Sequence, residues 1–296
     1  MIYFYMVLAI TFSVLSNMIL HKFKNRCFRT PGDVFLFNAG ISIVWFFVLL
    51  IWILISKEFL ISFQAVIYGI VYGIILCLFL YFKNQSMSEG PVALTSLIGN
   101  CAFIIATWFG VFYSNETILP LQFIGMVVIV IALIMCIKPK KGSEKLTIKW
   151  FVWCSAFFFA GGLLGIFNKI FGKSDVSNQV NSMMMVASVV SAVLFIGLAY
   201  FVNNVSKCEK PQIYKKSLSY VVSCGIVGCV YIRINLWLAG VIPSVIFFPI
   251  SNGANVLLST LLGWLLFKEK FNKIQLIGIF TGLGAILLIG CPQLFI

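Results

Sequence analysis

The sequence predicts an all-α integral membrane protein: ten transmembrane helices arranged as two inverted five-helix repeats. Three observations lead there. Of 296 residues, 61% are hydrophobic and only 10% charged, where a soluble domain carries about 25% charged residues; mean hydropathy is +1.08. The chain divides into ten apolar stretches, each near the roughly 20 residues that a helix needs to cross a bilayer. Residues of the fourth and fifth stretches recur in the ninth and tenth at a nearly constant offset.

The ten predicted spans have cores at 3–20, 34–55, 65–82, 91–113, 120–137, 149–171, 181–202, 218–239, 243–266 and 273–290. The breaks between them are short, which leaves almost nothing for a soluble domain. The first span follows MIYFY, which has no basic residue, and no small-residue cleavage site succeeds it, so it reads as a retained helix and not as a signal peptide. Nine cysteines, mostly inside apolar spans and without a CxxC pair, read as small buried hydrophobes and not as a disulfide frame or zinc site.

The net charge of +13 does not point to nucleic acid, because the cations fall in short inter-helix loops and form no continuous surface. Seventeen Lys and Arg lie on one set of alternate loops, and three, Lys57, Lys169 and Lys173, on the other. The positive-inside rule then puts the first set in the cytoplasm and both termini outside.

The repeat is read at an offset of 153, which pairs Thr107 with Thr260, Gly110 with Gly263, Glu116 with Glu269, Gln122 with Gln275, Gly125 with Gly278 and Ala132 with Ala285. An offset of 152 pairs Cys77 with Cys229, Pro91 with Pro243 and Asn100 with Asn252. With small gaps, Asn17 meets Asn168 and Asn38 meets Asn181. The repeats are residues 1–141 and 142–296. Five spans per copy is an odd number, so tandem copies enter the membrane with opposite orientation, an architecture of secondary transporters.

GPVALTSLIGN (90–100), NETILPLQFIGMVVIVIAL (115–133) and PISNGANVLLSTLLGWLLFKEKFNKIQLIGIFTGLGAILL (249–288) resemble the two halves of the ten-helix drug/metabolite transporter superfamily, EamA-like type. In that family a helix ending in Glu is followed by a Gln and a Gly that open the next helix; Glu116, Gln122, Gly125 and Glu269, Gln275, Gly278 match this. The resemblance implies a cavity lined by spans 1, 3, 4, 6, 8 and 9 and the transport of small metabolites, often outward. Two features depart from the family. Its members usually keep both termini in the cytoplasm, and the first span here has no acid of the kind that related four-helix transporters use to bind cations and protons.

Candidate substrate-binding residues are those that an apolar span would not otherwise keep. Arg233, in VYIRINLWLAG (230–240), is the only charged residue from 217 to 267. Its guanidinium keeps its proton, so it needs water or a negative partner. Two placements stay open: facing a cavity beside Ser219 and Ser223, or snorkelling to the outer headgroups from about six residues, roughly 9 Å, inside the helix end. All eight Asp and Glu lie in loops or at span ends, so a cavity holding Arg233 favours a carboxylate or phosphate. Ser251, Asn252 and Asn255 of the ninth span, with Ser244, Phe248 and Ser259, form one helical stripe; Ser96 and Asn100 of the fourth, with Gly99, Phe103 and Thr107, form another. Asn17 and Asn168 complete the set. Such stripes also serve as glue between membrane helices.

No nucleophile with a nearby base and no metal cluster is legible, and GGLLG (161–165) sits inside an apolar span as a packing surface. The expectation is therefore no enzyme, no metal and no cofactor. The expected activity is secondary transport of a small anionic or zwitterionic metabolite such as an amino acid, by alternating access across a plasma membrane (the bacterial inner membrane), outward by resemblance. Uptake, flipping of a lipid-linked head group, and a non-transporting membrane scaffold are the alternatives.

Overall fold

Apolar side chains and the absence of water oblige the backbone of a membrane span to satisfy its own polar groups, and the helix does so within one segment. The computed structural model describes residues 2–27, 30–57, 60–90, 92–136, 147–210, 217–267 and 273–290. The side chains of Asn17, of residues 20–27, 92–93 and 262–267, and of Thr260 lie outside the description. So do Pro91, Glu269 and the loop cations Arg29, Lys138, Lys140, Lys141, Lys145, Lys215, Lys216, Lys268 and Lys270.

Eleven α-helices carry the described chain: α1 (Ile2–Cys27), α2 (Pro31–Ser56), α3 (Phe63–Glu89), α4 (Val92–Cys101), α5 (Phe103–Ser114), α6 (Pro120–Met135), α7 (Ile148–Gly172), α8 (Val180–Val205), α9 (Leu218–Val241), α10 (Ser244–Phe267) and α11 (Lys273–Gly290). A 3-10 turn, Ser177–Gln179, precedes α8, and no strand occurs among the described residues. Seven described helical segments are long and apolar enough to cross a membrane. Three more, Ile2–Ser16, Pro120–Met135 and Ser244–Ser259, are apolar but shorter. Large apolar side chains such as Phe47, Phe63, Phe112, Phe151 and Phe280 stand more than half exposed along these helices. Whole apolar faces of this kind suit lipid, not water. The chain is a membrane protein.

Helix ends follow local chemistry. Pro31 opens α2 with its fixed φ, and the Asp33 carboxylate accepts from the Thr30 N–H (2.9 Å) and hydroxyl (2.7 Å), a capping box. Gln122 does the same for α6, where the Leu119 N–H donates to its Oε1 at 3.1 Å and Pro120 takes the first position. The fourth predicted span is not one helix. It breaks at Ala102 into α4 and α5, where the Ala102 N–H turns to Gly99 O (3.3 Å) and the Ile105 N–H to Ala102 O (3.1 Å). The Asn100 amide beside the break occupies Ser96 O at 2.7 Å, a side chain competing for the carbonyl that a regular helix gives to its own backbone.

The chain forms two compact units, each drawing on both halves of the sequence: Met1–Cys77 with Lys173–Trp237, and Leu78–Gly172 with Leu238–Ile296. In the first unit α2 and α8 pair antiparallel. The Gly32 N–H donates to Asn203 Oδ1 at 2.7 Å, and Ser191 Oγ to Ser42 Oγ at 2.9 Å. On this pair α3 lies against α8, with Gly69 facing Met183 and Val186 and Gly73 facing Ala187 and Val190. Likewise α9 lies against α2, with Gly225 facing Val44 and Gly40 facing Val221. The α2–α3 connection is tied to the start of α8 by Ser62 N–H on Gln179 Oε1 (2.9 Å) and Ser182 Oγ on Leu60 O (2.8 Å).

In the second unit α6 and α11 pair antiparallel through their glycines. A Cβ added at Gly125 would lie 3.2 Å from Ala285 O and 2.6 Å from Ile289; one added at Gly278 would lie 3.1 Å from Ala132 O and 3.2 Å from Cys136 Sγ. The glycines of GGLLG seat α7 on the broken span, Gly161 on Ala102, Gly162 on Ile105 and Gly165 on Ala106. Trp150 Nε1 donates to Thr95 Oγ1 at 2.9 Å and fixes the start of α7. Cys77, Cys154, Cys224 and Cys229 are buried as expected, whereas Cys208 is exposed in the α8–α9 connection.

Candidate functional site

The predicted site residues fall in both units. Arg233 and Asn17 belong to the first; Ser96, Asn100, Asn168, Ser251, Asn252 and Asn255 belong to the second.

In the first unit Arg233 lies eight residues before the end of α9, about 12 Å along a helix. Its Nε donates to Asn181 Oδ1 at 2.8 Å, and its Cζ stands 4.8 Å over the Trp52 ring. Asn181 is buried in the first turn of α8 and Trp52 occupies the last two turns of α2. The guanidinium therefore reaches toward the end of the bundle where the α2–α3 connection meets α8. It is half-buried and has no acidic partner among the described residues. Ser219 and Ser223, expected beside it, are exposed.

On the other side of α9 is a polar group that sequence reasoning missed. The Ser13 hydroxyl of α1 hydrogen-bonds the Tyr231 hydroxyl, Asn235 Nδ2 donates to the same oxygen at 3.5 Å, and Tyr72 of α3 lies near enough for the two phenols to interact. Ser13 and Tyr72 are buried. The helices that bring them together are fixed nearby: α1 runs antiparallel to α9, with Tyr5 edge-on to Trp237 at 5.4 Å between ring centroids and Cys224 Sγ 4.0 Å from Ser16 O. Tyr231 and Asn235 are one turn apart on one face, while Arg233 is two residues from each, roughly 200° round the helix at about 100° per residue. Tyrosine and serine barely lower the hydropathy of a span, so this cluster left no mark in the pattern that exposed Arg233.

In the second unit the two stripes resolve into matching details. Asn252 Nδ2 donates to Phe248 O at 2.9 Å as Asn100 Nδ2 does to Ser96 O at 2.7 Å; the two asparagines are the pair that an offset of 152 aligns in the sequence. Ser96, Ser251 and Asn255 are half-buried, and Ser259 Oγ bonds Asn255 O. Asn168 is half-buried in the last turns of α7. The Thr107 hydroxyl is buried without a hydrogen bond among the described residues. Pro249 lies inside α10 and removes one backbone donor there.

The same unit holds a buried ion pair. Lys169, counted from sequence as a loop cation, lies in the last turn of α7 and is 1% exposed. Its Nζ is 2.7 Å from Glu116 Oε1 and donates to Ile242 O at 3.2 Å. Glu116 Oε2 accepts the Ser244 N–H at 2.6 Å and the Val245 N–H at 3.4 Å, so the carboxylate caps the start of α10. Ser244, expected in the polar stripe, is buried in that cap. Glu116 thereby closes the α9–α10 connection onto α7.

No protein-family model matches the chain, and no curated protein matches it by sequence. Solved structures do: 28 chains are similar in fold. One, described only as a crystal structure of a protein, superposes with a TM-score of 0.77 at 14% identity over 98% of this chain and 96% of its own. At that identity the likeness is one of fold alone.

Proposed function

We propose that the protein is a ten-span, inverted-repeat secondary transporter of a small anionic or zwitterionic metabolite such as an amino acid. It works by alternating access in the plasma membrane, with both termini outside. The seven long helices account for seven predicted spans, and the three shorter apolar helices fall in the first, fifth and ninth.

One observation carries the reading: the reciprocal packing of α6 and α11. Gly125 meets Ala285 and Ile289 while Gly278 meets Ala132 and Cys136, and each residue of the first contact lies 153 positions from its counterpart in the second. Contacts that exchange in this way belong to a two-fold interface. A two-fold relating tandem five-helix copies is the inverted repeat of secondary transporters. The first unit agrees, since the third span packs on the seventh and the eighth on the second. Helix irregularities in corresponding spans, the break at Ala102 and Pro249 inside α10, are a further mark of such proteins.

The sign of the substrate comes from Arg233. Lys169 is neutralised by Glu116, whereas Arg233 donates to a neutral amide and has no acidic partner among the described residues. In a low-dielectric surrounding such a charge favours a solute bearing a carboxylate without needing to touch it. The test is counterflow in liposomes holding the purified full chain, with labelled amino acids and organic acids. Saturable exchange of carboxylate-bearing solutes and none of organic cations is expected. Saturable movement of none of them would favour the membrane scaffold instead.

A further inference from the structure

A guanidinium carries five N–H donors on one planar fork, and in Arg233 the described residues engage one of them. Nε donates to Asn181 Oδ1 at 2.8 Å, and Cζ stands 4.8 Å over the Trp52 ring. The N–H groups of the two terminal nitrogens have no acceptor among the described residues, and a charged donor in apolar surroundings requires one. Depth narrows what that acceptor is. Asn181 is the second residue of α8, and Trp52 lies four residues before the end of α2, about 6 Å along a helix. The side chain thus carries the charge from within α9 to the level where spans begin and end, which is headgroup depth. Access is from the side: Trp52, Ile51 and Ile55 are exposed on α2, and Arg233 is itself only half-buried. A ligand that arrives along this face needs no enclosed cavity.

We propose that Arg233 and Trp52 form a binding site for the phosphate of a phospholipid, in the leaflet where α2 ends and α8 begins, the outer one in the topology proposed above. Two terminal nitrogens side by side match two phosphate oxygens, the bidentate geometry in which a guanidinium binds this group best. The Asn181 amide holds the fork by Nε and leaves its outer edge for the ligand. The first turn of α8 adds the positive end of the helix dipole at the same place. Trp52 supplies apolar surface for the chains beside the headgroup, as Trp does at membrane interfaces. A bound phosphate cancels, while it stays, the charge that biases the span toward a solute anion, so lipid and solute compete for one guanidinium. The lipid site does not rest on the transport reading, since a lipid binds whether or not a solute moves.

Lipid binding to the purified full chain in neutral detergent tests the site without transport. Phosphatidylglycerol is titrated and the bound lipid measured by native mass spectrometry, with diacylglycerol, which lacks the phosphate, and glycerol phosphate, which lacks the chains, as comparison probes. Wild type should bind phosphatidylglycerol well ahead of diacylglycerol. Arg233→Gln should weaken that binding roughly tenfold, the loss of a charge-assisted pair of hydrogen bonds. Trp52→Leu, at an exposed position that folding does not depend on, should weaken it roughly threefold. Lys210→Gln, exposed beyond the other end of α8, is the control and leaves it unchanged. Equal phosphatidylglycerol affinity in wild type, Arg233→Gln and Trp52→Leu overturns the site, as does equal binding of diacylglycerol by wild type. Displacement of the lipid by an equal concentration of glycerol phosphate overturns it too, because the fork then takes a soluble anion and the chains contribute nothing. Each of these results leaves the counterflow experiment to decide transport by itself.

Discussion

Lys169 and Arg233, two of the cations that the described helices carry, are held in opposite ways. Lys169 is 1% exposed and has its charge cancelled by Glu116 at 2.7 Å, and its ammonium also donates a hydrogen bond to the Ile242 carbonyl. Arg233 is half-buried, gives one N–H to a neutral amide and stacks on an indole, with no acid among its described neighbours. The first arrangement holds helix ends together: α7, the α5–α6 connection and the start of α10 meet in it. The second leaves a net charge in the span. A cation that only fastened helices would gain from a carboxylate, as Lys169 does; Arg233 has none among the described residues, which is the arrangement the proposed attraction for an anion needs.

The largest expected difference is in stability. Lys169→Met leaves Glu116 facing a methyl, and breaking a buried pair from one side costs about 3–5 kcal/mol, less whatever the Ser244 and Val245 N–H groups still supply. Unfolding in detergent should show the loss, and adding Glu116→Gln should restore part of it. Arg233→Gln removes one hydrogen bond and one cation–π contact and strands no charge, so the same assay should register roughly 1–2 kcal/mol. Equal losses in the two variants would erase the distinction between fastener and field.

The reciprocal packing predicts matched pairs. Gly125→Leu and Gly278→Leu each push a side chain into a facing backbone carbonyl and into Ile289 or Cys136; overpacking of this kind costs about 1–3 kcal/mol. The two substitutions should give equal thermal shifts, and a large inequality would argue against a two-fold between α6 and α11. Smallest of all, Asn100→Ala and Asn252→Ala each free a carbonyl of their own helix. Each should change stability by no more than about 1 kcal/mol, so any larger effect on transport would mark the amides as ligands.

Hydropathy made the helices legible because a span must be apolar along its whole length, and the ends were legible where Pro31, Pro120 and their capping partners punctuate them. The offset of 153 was legible because close helix packing demands glycine at both Gly125 and Gly278. Lys169 was misread: a cation at the end of an apolar run looks like the start of a loop, and only the fold brings Glu116, 53 positions earlier in the chain, to meet it. The Ala102 break was invisible because Ala, Phe and Cys around it are ordinary helix residues. The Tyr231 cluster was missed for the same physical reason that makes it tolerable in a membrane, since a phenol is mostly ring. Arg233 was found at once and its direction was not, because Asn181 and Trp52 belong to other helices.

Counterflow by wild type and Arg233→Gln in liposomes at matched protein density tests the central claim most directly. An inverted-repeat transporter biased toward anions by Arg233 should exchange glutamate or lactate saturably in wild type, with the KM for these anions raised several-fold in Arg233→Gln and that for a neutral zwitterion such as serine raised less. Equal anion kinetics in the two proteins would contradict the role given to Arg233, and the absence of saturable exchange in wild type would contradict transport itself.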